Sequence, residues 1–295
     1  MILALVQALR PKQWTKNLLV FVGVVFSQQI GDRSLLLRAA AGFIAFSLLA
    51  GTVYLLNDLR DVEADRLHPK KRKRPIASGR LSLPVAWIAL VPLIAVVGAL
   101  SVWLGRGFCA VAGVYLLINF LYSWWLKNHV LIDVFVVATG FVLRAIAGVE
   151  LLLPVAPGTA LSPWLLMCTF FGALFLALAK RRREIENAGA HAGEQRAVLQ
   201  HYSAPLLDGL LLVTAATTLM SYALYTIWPA TVAKFRTEAM LFTAPIVAYG
   251  IFRYLYLTRA SEKSEDPSQV LLTDRPMGAC VLLYVATVVV ILYGR

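Results

Sequence analysis

Residues 35–65, LLLRAAAGFIAFSLLAGTVYLLNDLRDVEAD, decide how the chain is read. The first part is apolar apart from Arg38 and is as long as the roughly 20 residues a helix needs to cross a bilayer. It ends in Asn57 and Asp58, after which carboxylates recur at Asp61 and Asp65. Spacings of three, four and seven predict that Asp58, Asp61 and Asp65 share one helical face, with Asn57 beside them. Like charges so placed destabilise a helix unless a cation bridges them. Carboxylate and amide oxygens are hard ligands suited to Mg²⁺, which is usually shared with substrate phosphates. The plainer reading is a solvated polar helix end at a membrane surface.

The rest of the chain extends the membrane reading. Of 295 residues 59% are hydrophobic and only 15% charged, against about 25% charged in a soluble domain. Mean hydropathy is +0.72 and net charge +12. Such a chain is too apolar for a soluble nucleic-acid binder, so nucleic acid is excluded as a partner. Cys109, Cys168 and Cys280 all lie in apolar runs, which predicts buried single thiols rather than a disulfide framework.

Nine apolar segments are expected to span, near 17–30, 35–57, 83–104, 107–125, 130–150, 162–179, 206–228, 239–257 and 276–294. Together they predict an all-α integral membrane bundle forming one domain over 1–295. The apolar stretch before Arg10 has its charges after it, the wrong order for a cleavable signal peptide, and reads as a short interfacial helix. With the N-terminus inside, 20 Lys and Arg fall on the cytoplasmic side and 6 on the other, while Arg144 and Arg253 lie within spans. The bias predicts an N-in orientation. The longer, charge-dense connections, 58–82, 180–205 and 258–275 with its Ser261–Pro267 run, then lie inside. Chemistry is expected there.

Three further clusters qualify. His68-Pro-Lys-Lys71-Arg72-Lys73-Arg74-Pro-Ile-Ala-Ser-Gly-Arg80 follows the aspartates directly. Alone it reads as an anchor to anionic lipid. Next to a metal site, its cations would also clamp a substrate with several phosphates. The second runs through Tyr122, Lys127 and Asp133 to Arg144. Asp133 and Arg144 are about three turns apart on one helix face, and intramembrane ionisable residues are functional by default. Their pairing to hold the bundle, and snorkelling of Lys127, are the structural alternatives. The third is Lys180-Arg181-Arg182-Arg183-Glu184-Ile-Glu186 capping the sixth span, followed by His201 and Tyr202. Cations are favourable at a helix C-terminus in any case.

The whole chain resembles the UbiA superfamily of intramembrane prenyltransferases. The shared features are the nine spans, Asn57-Asp58-x-x-Asp61-x-x-x-Asp65 after the second span, and the Arg10-Pro-Lys-Gln-Trp-x-Lys16-Asn17 start. The stretch Tyr54–Pro69, the Lys-Arg-x-Arg-Pro-Ile-Ala-x-Gly run, Gly140–Gly148 and Lys180-Arg-Arg look most like the branch that acts on decaprenyl phosphate. Aromatic prenyltransferases of this fold carry a second aspartate motif after the sixth span, where this chain has cations instead. The resemblance implies transfer of 5-phosphoribose from 5-phosphoribosyl 1-diphosphate to a polyprenyl phosphate, with release of diphosphate, for a lipid-linked cell-wall sugar precursor. It implies Mg²⁺ held by Asn57, Asp58, Asp61 and Asp65. Substrate contacts are expected from Lys16, Asn57, Lys71, Arg72, Arg74, Tyr122, Lys127, Asp133, Arg144, Lys180, Arg181 and Arg182. The expected setting is a bacterial inner membrane with the site facing the cytoplasm, and a homo-oligomer is compatible with the sequence. Aromatic prenyl transfer is the alternative. A transporter would spread ionisable residues through its spans near mid-membrane, whereas here the charges concentrate at the cytoplasmic ends, with Asp133, Arg144 and Asp208 the main doubtful cases.

Overall fold

A computed structural model describes residues 1–26, 31–67, 71–157, 162–188, 197–260 and 273–294. The end of the first expected span (27–30), His68 to Lys70 of the basic run, and the Ser261–Pro267 run lie outside them. Among the described residues, eight helices are long and apolar enough to cross a membrane. They are α3 (Arg33–Arg60), α5 (Leu83–Leu104), α6 (Arg106–Trp124), α7 (Ile132–Glu150), α8 (Pro163–Ala188), α9 (Ala204–Ile227), α11 (Ala244–Ala260) and α12 (Arg275–Tyr293). Shorter helices are α1 (Ile2–Ala8), α2 (Val22–Phe26), α4 (Val62–Leu67) and α10 (Pro229–Phe235).

Local signals set the helix starts. Asp32 accepts the Ser34 and Leu35 amides to open α3, Ser203 accepts the Leu206 amide to open α9, and Asp274 accepts the Met277 amide to open α12. Each satisfies amides that a helix start leaves without partners. The short helix expected before Arg10 is α1.

The first expected span, near 17–30, is not confirmed. A 3-10 helix over Pro11–Phe21 leads into the five-residue α2. The reason is polar: Asn17, 1% exposed, sits in the middle and turns its carboxamide to Ser47 and Arg144. A second departure concerns α8, which runs through Lys180–Arg183 to Ala188 instead of ending there. Ion pairs Lys180–Glu184, Arg181–Glu184 and Arg182–Glu186 lie three or four residues apart, the spacing that supports a helix. The cysteines are free as expected, but Cys109 is exposed and Cys168 and Cys280 are half-buried. On a helix facing lipid, an apolar run does not guarantee burial within the protein.

The chain divides into two compact units. The first comprises Met1–Trp124 and Leu143–Ala160, the second Trp125–Val142 and Leu161–Arg295, so α7 gives its first half to the second unit and its last turns to the first. The first unit has a core around Phe46, Leu49, Phe108 and Leu151, and a smaller one in which Ala8, Leu55 and Leu59 pack against Ile76 and Leu81. The second is packed around Val134, Leu178, Leu207 and Leu211. In the first unit α2 lies hard against α7: a Cβ on Gly148 would meet the Val20 carbonyl, and one on Gly23 the Gly148 carbonyl. Glycine lets the two backbones approach this closely.

Candidate active site

In the first unit the acidic stretch leaves α3 and continues through α4. The helix bends at Asp61, with φ −93 and ψ 16, while the Asp61 and Asp65 amides still bond to the Asn57 and Asp61 carbonyls. Asp58 and Asp65 are each 2% exposed, and Asn57 is half-buried. The Asp61 side chain is more open and lies 4.0 Å from the Arg60 guanidinium. Thus Arg74 brings Asp58 and Asp65 together, and Asp61 is the more exposed of the three.

The charges that bridge the aspartates come from the chain itself. Arg74 Nη1 donates to Asp58 Oδ1 at 3.1 Å and to Asp65 Oδ2 at 2.7 Å. Arg10 Nη2 donates to the same Asp58 Oδ1 at 2.5 Å while its guanidinium lies 4.5 Å from the centre of the Tyr54 ring. Arg10 reaches this point because its backbone is left-handed, φ 53, between α1 and the 3-10 helix. Arg74 is held by the fold of the basic segment: Ile76 and Leu81 are buried, and Arg80 bonds to Gln7 Oε1 and the Lys73 carbonyl. Lys71 is half-buried and Arg72 exposed in the 3-10 helix Lys71–Lys73.

Asp58 Oδ2 is buried and has no hydrogen-bond partner. A buried acceptor left unsatisfied costs about 1–3 kcal/mol, more when charged, so native structures rarely keep one without a reason such as an ion. Among the described residues no three His, Cys, Asp or Glu side chains gather as a metal-binding group. The donor set nevertheless fits a Mg²⁺ ion bound through one or two carboxylates and substrate phosphates, which is the usual habit of that ion. Asp58 with its spare oxygen and Asp65 beside it are the residues that would hold it.

Deeper in the same unit Arg144 is 5% exposed. Its Nε donates to Asn17 Oδ1 at 2.7 Å and its Nη2 to Tyr115 OH at 2.8 Å. The guanidinium also lies 4.9 Å from the Tyr115 ring centre and 5.7 Å from that of Phe46. The structural alternative, a pair between Asp133 and Arg144, does not form, since eleven residues of helix separate them by about 16 Å and each finds other partners.

Those of Asp133 lie in the second unit. Arg181 Nε donates to Asp133 Oδ2 at 2.7 Å, Tyr202 OH donates to Oδ1 at 2.7 Å, and Asp133 is 0% exposed. Arg181 also bonds to Glu184. Burial, reinforced by the bond to the Asp133 carboxylate, pushes the Tyr202 hydroxyl well above the usual tyrosine range, so it keeps its proton. The same oxygen accepts the Leu131 amide at 2.8 Å. Leu131 has φ 66, a left-handed conformation costing a non-glycine residue about 1–2 kcal/mol. Arg182 pairs with Asp208 at 3.1 Å, and Arg183 donates to the Leu257 carbonyl.

Lys180 is therefore the exposed cation of its run, whereas Arg181 and Arg183 are buried within the unit. Lys127 is half-buried in the 3-10 helix Leu126–Asn128, and Lys16 and Tyr122 are half-buried. Sequence reasoning missed Arg10, Asn17 and Tyr202. The first two begin and end the Arg10–Asn17 stretch, which carried the signal. Tyr202 sits beside His201, which is exposed.

Eight long apolar helices with arginine–carboxylate clusters near their ends define a multi-pass membrane protein with a polar site. A family model described as the UbiA prenyltransferase family matches residues 17–273, and the chain belongs to that family. The chain is 35% identical to the decaprenyl-phosphate phosphoribosyltransferase of Corynebacterium glutamicum, over 98% of this chain and 86% of that one. It is 31% identical to the protein of the same name from Mycobacterium tuberculosis, over 98% and 94%. The fold is similar to a UbiA homologue from Archaeoglobus fulgidus solved with GPP and Mg²⁺, at 20% identity and a TM-score of 0.72, covering 98% of this chain and 99% of that chain.

Proposed function

We propose that the protein transfers 5-phosphoribose from 5-phosphoribosyl 1-diphosphate to a decaprenyl-type polyprenyl phosphate and releases diphosphate. The observation that carries this reading is the full-length similarity to relatives named for that activity. The polar site supports it through chemistry, since paired carboxylates, a spare carboxylate oxygen and flanking cations suit a diphosphate leaving group.

In this reading 1–295 is one transferase domain in a bacterial inner membrane, N-terminus inside, contributing to lipid-linked cell-wall precursors. Asp58 and Asp65, with Asn57 and Asp61 near them, hold Mg²⁺. When bound, that ion neutralises charge on the departing diphosphate. Arg10 and Arg74, which neutralise the two aspartates here, are placed so that they would bind donor phosphates if the carboxylates held the cation. Lys71 and Arg72 add positive charge, as do Lys16, Lys127 and Arg144. Lys180, with Arg181 and Arg182 behind it, favours the 5-phosphate or the lipid phosphate. Tyr122 and Asp133 lie on the helices before and after the turn that carries Lys127. The acceptor phosphate oxygen is already anionic, so no dedicated general base is needed.

The test is incubation of membranes containing the protein with labelled phosphoribosyl diphosphate, polyprenyl phosphate and Mg²⁺. Label should appear as a lipid-extractable ribose phosphate. Label that stays aqueous while prenylated aromatic products form would reverse the choice of substrate.

A further inference from the structure

The connection Trp125–Leu131 carries Lys127 in a single 3-10 turn and ends at the left-handed Leu131. Part of its shape is internal: the Asn128 amide bonds to the Trp125 carbonyl and the His129 amide to the Leu126 carbonyl. Its strained end is tied elsewhere, to the hydroxyl of Tyr202 seventy-one residues away. That hydroxyl is itself fixed, because its proton goes to Asp133 Oδ1 and Arg181 holds the other carboxylate oxygen. A hydroxyl can donate once and still accept, and both capacities are used here.

We propose that Tyr202 is a positioning residue that sets the conformation of the Trp125–Leu131 connection and thereby the placement of Lys127. The proposal rests on the reading of Lys127 as a ligand of donor phosphate. Without the hydroxyl, the Leu131 amide loses its acceptor and the leucine is free to leave the left-handed region, taking the 3-10 turn with it. The aromatic ring, part of the buried cluster that includes Val134, Leu178 and Leu207, is not needed for this role. Tyr202→Phe removes one oxygen and keeps that packing.

The experiment measures kcat and KM for phosphoribosyl diphosphate with full-length protein in detergent, in a cycle of Tyr202→Phe and Lys127→Ala. Loss of a ground-state contact appears in KM, so Tyr202→Phe should raise KM about tenfold with kcat within about twofold. In a Lys127→Ala background it should raise KM no further. Adding Leu131→Gly to Tyr202→Phe should recover most of the lost KM, since glycine holds positive φ at no steric cost. A purely packing role for Tyr202 would not respond to Leu131→Gly. Equal multiplicative effects in both backgrounds, no rescue by glycine, or a fall in kcat alone overturn the positioning role. An unchanged KM in Lys127→Ala alone overturns the assignment of Lys127, and the proposal with it.

Discussion

Asp58 and Asp133 are both buried carboxylates near the end of a long apolar helix, each facing arginine, yet they are built to opposite plans. Asp133 spends both oxygens, one on Arg181 and one on Tyr202. Asp58 receives Arg10 and Arg74 on a single oxygen and keeps the other buried and unbonded. The arginine of the Asp133 pair is 4% exposed, whereas Arg10 and Arg74 are each 28% exposed and have room to move. A carboxylate with both oxygens committed holds a fold together. One with a spare oxygen and partly exposed counter-charges can accept a ligand.

Breaking each pair should therefore show up in different observables. The largest effect is expected for Asp133→Ala, which leaves Arg181 buried beside a hole. Removing one partner of a buried pair costs about 3–5 kcal/mol, so thermal unfolding in detergent should begin markedly earlier. Asp58→Asn should cut product formation at least ~100-fold, about 2.7 kcal/mol of barrier. Its unfolding midpoint should move little, because Arg74 keeps Asp65 and both arginines reach solvent.

Two smaller changes away from both carboxylates calibrate the scale. Gly148→Ala forces a methyl into the Val20 carbonyl and should cost about 1–3 kcal/mol, as overpacking does. Ser203→Ala removes the cap of the Leu206 amide and should cost about 1 kcal/mol, visible as a small shift in the same unfolding curve.

The contrast also shows which features a sequence can carry. The eight spans were legible because apolar length is a local property. The first segment, near 17–30, is not confirmed as a span, and it opens on Asn17, whose partners Ser47 and Arg144 lie far along the chain. Asp58 and Asp65 could be foreseen from spacing within one stretch. Their counter-charges could be foreseen only in part: Arg74 follows closely, while Arg10 arrives through a left-handed turn. Spacing placed Asp133 and Arg144 on one helix face about three turns apart, but the partners of Asp133, Arg181 and Tyr202, come from distant segments that spacing does not reveal. In the Lys180–Arg183 run, Lys180, Arg181 and Arg182 read alike as substrate contacts. Burial separates the run into an exposed Lys180 and arginines paired within the unit.

The spare Asp58 oxygen is the center of the account, and Mn²⁺ binding tests it without turnover. Purified protein and its Asp58→Asn variant would be titrated with Mn²⁺ in the presence of diphosphate, with free ion followed by electron paramagnetic resonance. The expected result is stoichiometric binding by the unaltered protein and at least ~100-fold weaker binding by the variant, a loss of about 2.7 kcal/mol. Equal affinity in the two proteins would show that the unbonded oxygen is not a cation seat and would contradict the account.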